Sequence, residues 1–332
     1  MGSPWWHLTY QRDVILSHSL APDTFTAYRT GINHYLRFCH QFAITPLPLS
    51  ENIMEPFVVS LQHLAYKSIK VYLCGVQFWS TISGFTNQIS DMDRLEYVLR
   101  GIRRIQGNRF TRPMRAPITW ELLQVICRHI ISSETPFDRD MLLSAALLAF
   151  FGLLRVSEYT SPTTTRSDPN SLSFGDVTVD SSQRVARVHI KKSKTDPFRV
   201  GVTLRICAIQ HAFCPAKALI RYLSRRGTNP GPFFIYNNGS FLTRARIRDL
   251  LARSLPHVPN INTHSFRRGG ASALSDAGVE GHVIQILGRW KSDAYIHYIQ
   301  MSDEFLTETN LSMVKRPTRP KRPKRPKRAK RR

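Results

Sequence analysis

The sequence predicts a mainly α chain with a small antiparallel β-sheet, built as an N-terminal four-helix domain followed by a larger α+β domain. Three observations predict it. Residues 21–105 carry apolar side chains at steps of three and four, the period of an amphipathic helix. Three runs between residues 172 and 206 alternate in polarity instead, as strands do. Between these regions, residues 106–117 hold Gly107, Pro113, Pro117 and three arginines with no periodicity, and read as a linker. A chain of 332 residues has room for two domains of ordinary size.

Residues 1–20 show no pattern and are expected to be a loosely held N-terminal segment. Pro22-Asp23-Thr24 then opens a helix with the stripe Phe25, Tyr28, Ile32, Tyr35, Cys39 and Phe42. Pro46 and Pro48 end it, and Ser50 is placed to cap a second helix carrying Ile53, Phe57, Leu61 and Leu64. A third carries Ile69, Tyr72, Leu73, Val76 and Trp79. A fourth follows Asp93 with Leu95, Val98, Leu99, Ile102 and Ile105. Four short helices of this kind make a small all-α domain over 21–105. Lys67 and Lys70 flank the start of the third helix, and Arg100, Arg103 and Arg104 lie on the fourth. They suit either a phosphate backbone or a plain solvated face.

The second domain is expected over residues 118–312. Residues 119–131 and 138–154 read as helices, the second apolar enough to be a core helix that delivers Arg155-Val-Ser-Glu158 at its end. Glu158 can orient Arg155 across one turn, although an arginine at a helix C-terminus is also favoured by the dipole alone. A Thr/Ser/Pro loop over 160–171 leads into strands at 172–179, 184–190 and 198–206. Lys191-Lys-Ser-Lys194-Thr-Asp-Pro forms the tip of the hairpin joining the last two. There Lys194 is either a mobile proton donor and phosphate ligand or a solvated turn lysine. Helices follow at 215–225 and 243–255, around a Phe233-Phe-Ile-Tyr run and an Asn237-Asn-Gly turn. Residues 264–298 read as short helices broken at Gly269-Gly270, Gly278 and Gly288, and 303–314 as a last helix. The tail, 313–332, repeats Lys-Arg-Pro with period three and is expected to be disordered. It suits a nuclear localisation signal or a nonspecific nucleic-acid arm.

The formal net charge is +24. Twelve Lys and Arg fall in residues 315–332, which contain no acid, so 24 − 12 leaves +12 on the first 314 residues. A body basic without its tail points to a polyanion, most often nucleic acid. No apolar run reaches the ~18 residues of a membrane span, and no signal-peptide pattern opens the sequence. The five cysteines are odd in number and irregularly spaced, which argues against a disulfide framework and for a reducing compartment. Cys207, His211 and Cys214 lack a fourth metal ligand nearby and read as buried thiols rather than a zinc site.

Residues 264–298 concentrate the chemistry. His264-Ser-Phe-Arg267-Arg-Gly-Gly is followed by Leu287-Gly-Arg-Trp290 and by Tyr298. On a helix, His264 and Arg267 share a face, and Tyr298 lies about two turns beyond Trp290 if that segment is helical. The three functional types suit a phosphate. Arginine grips non-bridging oxygens in a fork, histidine donates or moves a proton, and tyrosine can attack phosphorus and hold a covalent intermediate.

Arg155 in Leu-Leu-Arg-Val-Ser-Glu, Lys194 in Ser-Lys-Thr-Asp, His264-Ser-Phe-Arg267-Arg-Gly-Gly-Ala-Ser, Gly288-Arg-Trp290 and Tyr298 occur in that order. As a set they resemble the tyrosine recombinases, over roughly residues 20–310; type IB topoisomerases are similar in their catalytic domain. The stretch Leu-Gly-Arg-Trp-Lys-Ser-Asp-Ala-Tyr-Ile-His-Tyr-Ile looks most like the eukaryotic branch carried by mobile elements of the DIRS, Ngaro and Crypton types. The resemblance implies that residues 21–105 are a SAM-like core-binding domain gripping double-stranded DNA, with Lys67, Lys70, Arg103 and Arg104 as DNA contacts. It implies that Tyr298 forms a 3′-phosphotyrosyl bond, that Arg155 and Arg267 clamp the phosphate, and that Lys194 protonates the leaving 5′-oxygen. His264 then assists proton transfer at the nucleophile, Trp290 stands where many members have a second histidine, and Glu158 orients the basic groups. It further implies that no metal or nucleotide cofactor is used, that a homotetramer acts on two DNA sites, and that the protein works in the nucleus. The step from Trp290 to Tyr298 is eight residues where many members have nine, so Tyr295 is the alternative nucleophile. Two other activities fit the same residues: a catalytically inactive, recombinase-derived DNA-binding protein, and a type IB topoisomerase-like relaxing enzyme.

Overall fold

A computed structural model describes residues 5–110, 113–180, 182, 185–192, 196, 200–299, 301 and 303–314. Most of the tail, residues 315–332, therefore lies outside the described residues. The chain divides between residues 112 and 113 into two compact units.

The first unit holds five described α-helices: α1 (Trp5–Ser17), α2 (Pro22–Gln41), α3 (Glu51–Ser60), α4 (Tyr66–Ile82) and α5 (Asp93–Gln106). Residues 5–17 are thus a helix rather than the loose segment expected. Their sequence carries no helical stripe, and Trp5, Trp6, Tyr10 and Ile15 are exposed on α1. Tyr35, Phe38 and Cys39 of α2, Met54 and Phe57 of α3, Ile69, Leu73 and Val76 of α4, and Leu95, Leu99 and Ile102 of α5 form one core. The expected α2 stripe is buried only in its middle, since Phe25 and Phe42 at its ends are exposed. In that middle, α2 and α4 make close backbone contact. Gly31 lies against the Tyr72 backbone and Gly75 against that of Tyr28, where a Cβ would overlap the neighbour. At the far end, the Gln106 amide ties α5 to the start of α4, accepting from Tyr66 N–H at 3.1 Å and donating to Gln62 O and Leu64 O.

The second unit is built on α6 (Trp120–Ser133) and α7 (Pro136–Phe151). Every residue of α7 from Asp140 to Phe150 is buried, as befits a helix apolar all round and packed on all sides. A three-stranded antiparallel sheet, β1 (Val177–Asp180), β2 (Val185–Ile190) and β3 (Val202–Cys207), runs in the order β1-β2-β3. Its register pairs Val177 with Val188 and Val188 with Leu204. Ala186, Val188 and Ile190 point alternately inward into the core. The first strand is shorter than expected because Phe174–Asp176 turns as a 3₁₀ helix before it. The remaining helices are α8 (Val156–Tyr159), α9 (Pro215–Arg226), α10 (Arg244–Ser254), α11 (Ser265–Asp276), α12 (Gly281–Gly288) and α13 (Asp303–Val314). Leu219 and Tyr222 of α9 and Ile247 and Leu251 of α10 close the core around α7.

Helix α11 runs straight through Gly269 and Gly270, which were expected to break it. These glycines serve approach rather than flexibility. A side chain at Gly269 would overlap the Ile118 carbonyl, and one at Gly270 would meet the Phe150 carbonyl and the Leu153 side chain. Of the two thiols expected to be buried, Cys214 is buried but Cys207 is exposed on β3; Cys39 and Cys127 are buried as well. Among the described residues, no helix is long and apolar enough to cross a membrane.

Candidate active site

The site forms where α7 ends. The chain leaves the helix through Leu153, which has φ 48°, a left-handed conformation normally taken by glycine at this position. Leu154 N–H closes the turn on Ala149 O at 3.0 Å. The Leu153 carbonyl is thereby turned inward, where it accepts from Arg267 Nη1 and from Arg289 Nη2. Arg155 follows as the N-cap of α8. Its N–H donates to Glu158 Oε2 at 2.9 Å and its Nη1 to Glu158 Oε1 at 3.0 Å. Glu158 is buried, and its Oε2 also accepts from Arg289 Nη2 at 2.9 Å. One carboxylate therefore aligns two guanidiniums, a geometry that arginine's rigid fork suits well.

His264 caps the start of α11 and Arg267 lies within its first turn. The His264 N–H is held by Asn262 Oδ1 at 2.9 Å. Burial, and then the charges of Arg115, Arg244, Arg267 and Arg155, pull the imidazole pKa down from 6.5 to about 4. It is neutral at physiological pH and able to accept a proton. Burial first, then Arg155 and Arg289, lower the Arg267 pKa to about 9, which leaves it charged at neutral pH. Such mutual repulsion among cations is relieved by an anion bound among them.

Helix α12 ends at Gly288, and the Trp290 ring folds back over that glycine where a side chain would overlap it. Arg289 between them has φ 57° and ψ 41°. A left-handed arginine costs on the order of 1 kcal/mol. Its ion pair with Glu158 and its bonds to Gly152 O and Leu153 O, both at 3.1 Å, hold it there. The Arg267 guanidinium donates to Leu153 O and Gly288 O and lies 4.2 Å from the Trp290 ring centroid. The Tyr298 ring is 5.8 Å from the same guanidinium and 5.0 Å from Trp290. Residues 290–298 are not the continuous helix assumed for a two-turn offset; they turn through a 3₁₀ segment, Asp293–His297. Tyr295 is 6.4 Å from Trp290 and brings its hydroxyl against Gly281 at the start of α12, where a Cβ would lie 2.5 Å from Oη.

The fold thus brings Arg155, Glu158, His264, Arg267, Trp290 and Tyr298 together. Lys194 lies outside the described residues. Its neighbour Lys191 is tied to Asp176 at 2.9 Å and to Ser173 Oγ at 3.2 Å. Arg267 is completely buried, so no solvent or phosphate oxygen touches it while Trp290 and Tyr298 keep these positions. In the first unit, Lys67, Lys70, Arg103 and Arg104 are all exposed, and Arg103 lies over the Tyr66 ring at 5.6 Å. Four arginines that sequence reasoning passed over also belong to the site. Arg289 had a signal, its place after Gly288 at the end of the largely apolar stretch 283–287, and Arg268 had one as half of a doubled arginine before two glycines. Arg115 and Arg244 had none, because only the fold carries the end of the linker and the start of α10 to His264. Among the described residues, no group of three or more His, Cys, Asp or Glu is placed to hold a metal.

No protein-family model matches the chain, and no curated protein matches it either. Solved structures do. The Tn1549 transposon integrase in complex with transposon right end DNA is 14% identical, with 92% of this chain and 97% of that one covered and a TM-score of 0.59. XerH site-specific recombinase bound to a palindromic difH substrate, a post-cleavage complex, is 18% identical over 85% and 79% of the two chains, with a TM-score of 0.55. A lambda integrase dimer bound to a COC′ core site is 15% identical over 88% and 76%, with a TM-score of 0.52. At these identities the likeness is one of fold, and the fold is that of the tyrosine recombinases.

Proposed function

We propose that the chain is a site-specific DNA recombinase or integrase that cleaves and rejoins double-stranded DNA through a 3′-phosphotyrosyl intermediate. We take it to derive from a eukaryotic mobile element of the DIRS, Ngaro or Crypton type and to act in the nucleus as a homotetramer on two DNA sites. The observation that carries this reading is the convergence of Arg155, His264, Arg267 and Tyr298, from three separated segments, at one half-buried, cation-rich point beside the buried Glu158.

The chemistry follows from the residues. Tyr298 Oη attacks the scissile phosphorus and gives up its proton with the help of neutral His264, and the Oη–P bond forms as the P–O5′ bond breaks. Lys194 protonates the departing oxygen, leaving a 5′-hydroxyl. Arg155 and Arg267 hold the charge that builds on the non-bridging oxygens, and Glu158 keeps Arg155 and Arg289 in register. Arg289 stands nine residues before Tyr298, so it meets the spacing common in the family that Trp290 misses by one. In this reading Arg289 takes the second-histidine position, while Trp290 packs over Arg267 until the duplex displaces the Trp290–Tyr298 pair. Tyr298 is favoured over Tyr295 as nucleophile because its ring adjoins Arg267. In this reading the two arginines take the charge-stabilising role a metal would otherwise have, and no nucleotide is consumed because the phosphotyrosyl bond conserves the energy of the broken linkage. Lys67, Lys70, Arg103 and Arg104 contact the DNA backbone through the first unit.

The test uses nicked suicide duplexes tiled across the DNA that flanks the coding gene. A covalent protein–DNA adduct is expected, absent in Tyr298→Phe and retained in Tyr295→Phe, with Arg267→Ala slowed by about a thousandfold. The burial of Arg267 favours one rival, a DNA-binding protein of the same fold that no longer cleaves. Tight binding to these duplexes without any adduct would establish that rival.

A further inference from the structure

Arg268 is the best candidate for a role not yet assigned. The residue is 7% exposed, yet it makes no ion pair among the described residues. Its Nη1 donates to the His297 carbonyl at 2.7 Å. Its Nε and Nη2 are buried without a partner among the described residues. A buried guanidinium left with two idle donor nitrogens is costly, and such a cost is kept where the group has work to do. The side-chain bond it makes among the described residues is informative. The His297 carbonyl belongs to the peptide that joins His297 to Tyr298, and the N–H of that same peptide donates to Tyr295 O at 2.8 Å. The peptide is therefore held at both ends, by Arg268 on one side and by the 3₁₀ turn on the other. Rotation of that peptide would swing the Tyr298 ring. Tyr298 and Arg115 are the charged or ionisable neighbours that Arg268 senses, after the dominant effect of burial, and no carboxylate is among them.

We propose that Arg268 is a positioning residue for the nucleophile: it pins the His297–Tyr298 peptide so that Tyr298 Oη is presented to phosphorus. The inference rests on the reading of Tyr298 as the attacking group. Arg268 acts through the backbone of the nucleophile, and so on the step in which the Oη–P bond forms. It takes no part in the departure of the 5′-oxygen. Helix α11 thus supplies two arginines with separate tasks. Arg267 is directed at the phosphate, and Arg268, one residue on and about 100° around the helix, at the tyrosine segment.

The experiment measures single-turnover adduct formation on the suicide duplexes, together with DNA affinity, for wild type, Tyr298→Phe, Arg268→Lys and Arg268→Gln. Losing the clamp misplaces the nucleophile, so Arg268→Gln should cleave about a hundredfold more slowly. Arg268→Lys, which keeps the charge and one donor, should recover about tenfold of that loss, and the affinity of both should stay within about threefold of wild type. A duplex with sulfur in place of the bridging 5′-oxygen, whose thiolate leaves without a proton, should rescue Lys194→Ala but not Arg268→Gln. If Arg268→Gln does not melt cooperatively, Arg268→Lys decides: a rate about tenfold below wild type supports the role. Cleavage by the folded variants at the wild-type rate, while Tyr298→Phe is dead, would overturn the inference and leave the functional reading intact. Rescue of Arg268→Gln by the bridging sulfur would also overturn it. A wild-type chain that forms no adduct on any duplex removes the functional reading, and this inference with it.

Discussion

His264 is neutral in the folded chain because burial and four arginines oppose its protonation. That has a consequence for stability. The folded pKa of about 4 lies below the unfolded value of 6.5. Above pH 6.5 neither state binds the proton and the full stability is present. As pH falls toward 4, the unfolded chain takes up a proton that the native chain refuses, and stability is lost by an amount on the order of 2 kcal/mol after solvent screening. The melting temperature of the wild type should therefore fall more steeply between pH 6.5 and 4 than that of His264→Gln. Parallel profiles would show that the arginines do not crowd the imidazole. A phosphate ligand works in the opposite direction, since its charge offsets the arginines and favours the imidazolium, so binding an anion in this window should be accompanied by proton uptake. The residues of this site are partly legible in the sequence. His264, Arg267 and Tyr298 stand out because their types suit one chemistry and lie close together, and Arg155 because it ends an apolar helix. Arg115 and Arg244 are not legible, because each sits in a locally ordinary basic stretch and acquires its role only when the fold brings it to His264.

The elements show how glycine is read correctly in kind and wrongly in purpose. Apart from α1 and the all-round apolar α7, the helices and the three strands follow from period, because each has one face to bury. What period cannot express is the distance between backbones. Gly269 and Gly270 look like a break in sequence, yet α11 passes through them unbroken because α7 and Ile118 approach too closely for any side chain. A substitution separates the two uses of glycine. Gly269→Ala forces a methyl onto a backbone carbonyl that cannot yield like a side-chain tip, so a loss of about 3 kcal/mol is expected, with reduced activity because α11 carries His264 and Arg267. Gly101, inside α5, has no atom within 4 Å of its absent Cβ. There the gain in helix propensity acts alone, and Gly101→Ala should stabilise by about 0.5–1 kcal/mol. Denaturant midpoints of the two variants check both signs, and a stable Gly269→Ala would refute the close-packing account. The same limit explains the missed helix α1, which has no buried stripe to announce it, and the 3₁₀ turn before Tyr298, where a helical period had been assumed over residues that do not complete a helix.

For the whole molecule the controlling quantity is charge. Half of the +24 resides in residues 315–332 and half on the remainder. Each phosphate neutralised on duplex DNA releases counterions, so the logarithm of affinity falls with the logarithm of salt at a slope of about −0.9 per contact. If the tail is a DNA arm, several of its twelve cations contribute to that slope. A chain ending at residue 314 should then bind nonspecific duplex more weakly, and its slope should be shallower by several units. Its cleavage rate on saturating suicide duplex should be unchanged, because the residues assigned to chemistry all lie between Arg155 and Tyr298. If the tail is instead a localisation signal, the slope stays the same and the truncated protein, expressed in eukaryotic cells with a fluorescent fusion, fails to accumulate in the nucleus. The two measurements are independent. A truncated chain with unaltered salt dependence and unaltered nuclear accumulation would exclude both roles, and would leave the +12 of the body as the charge that matters for DNA.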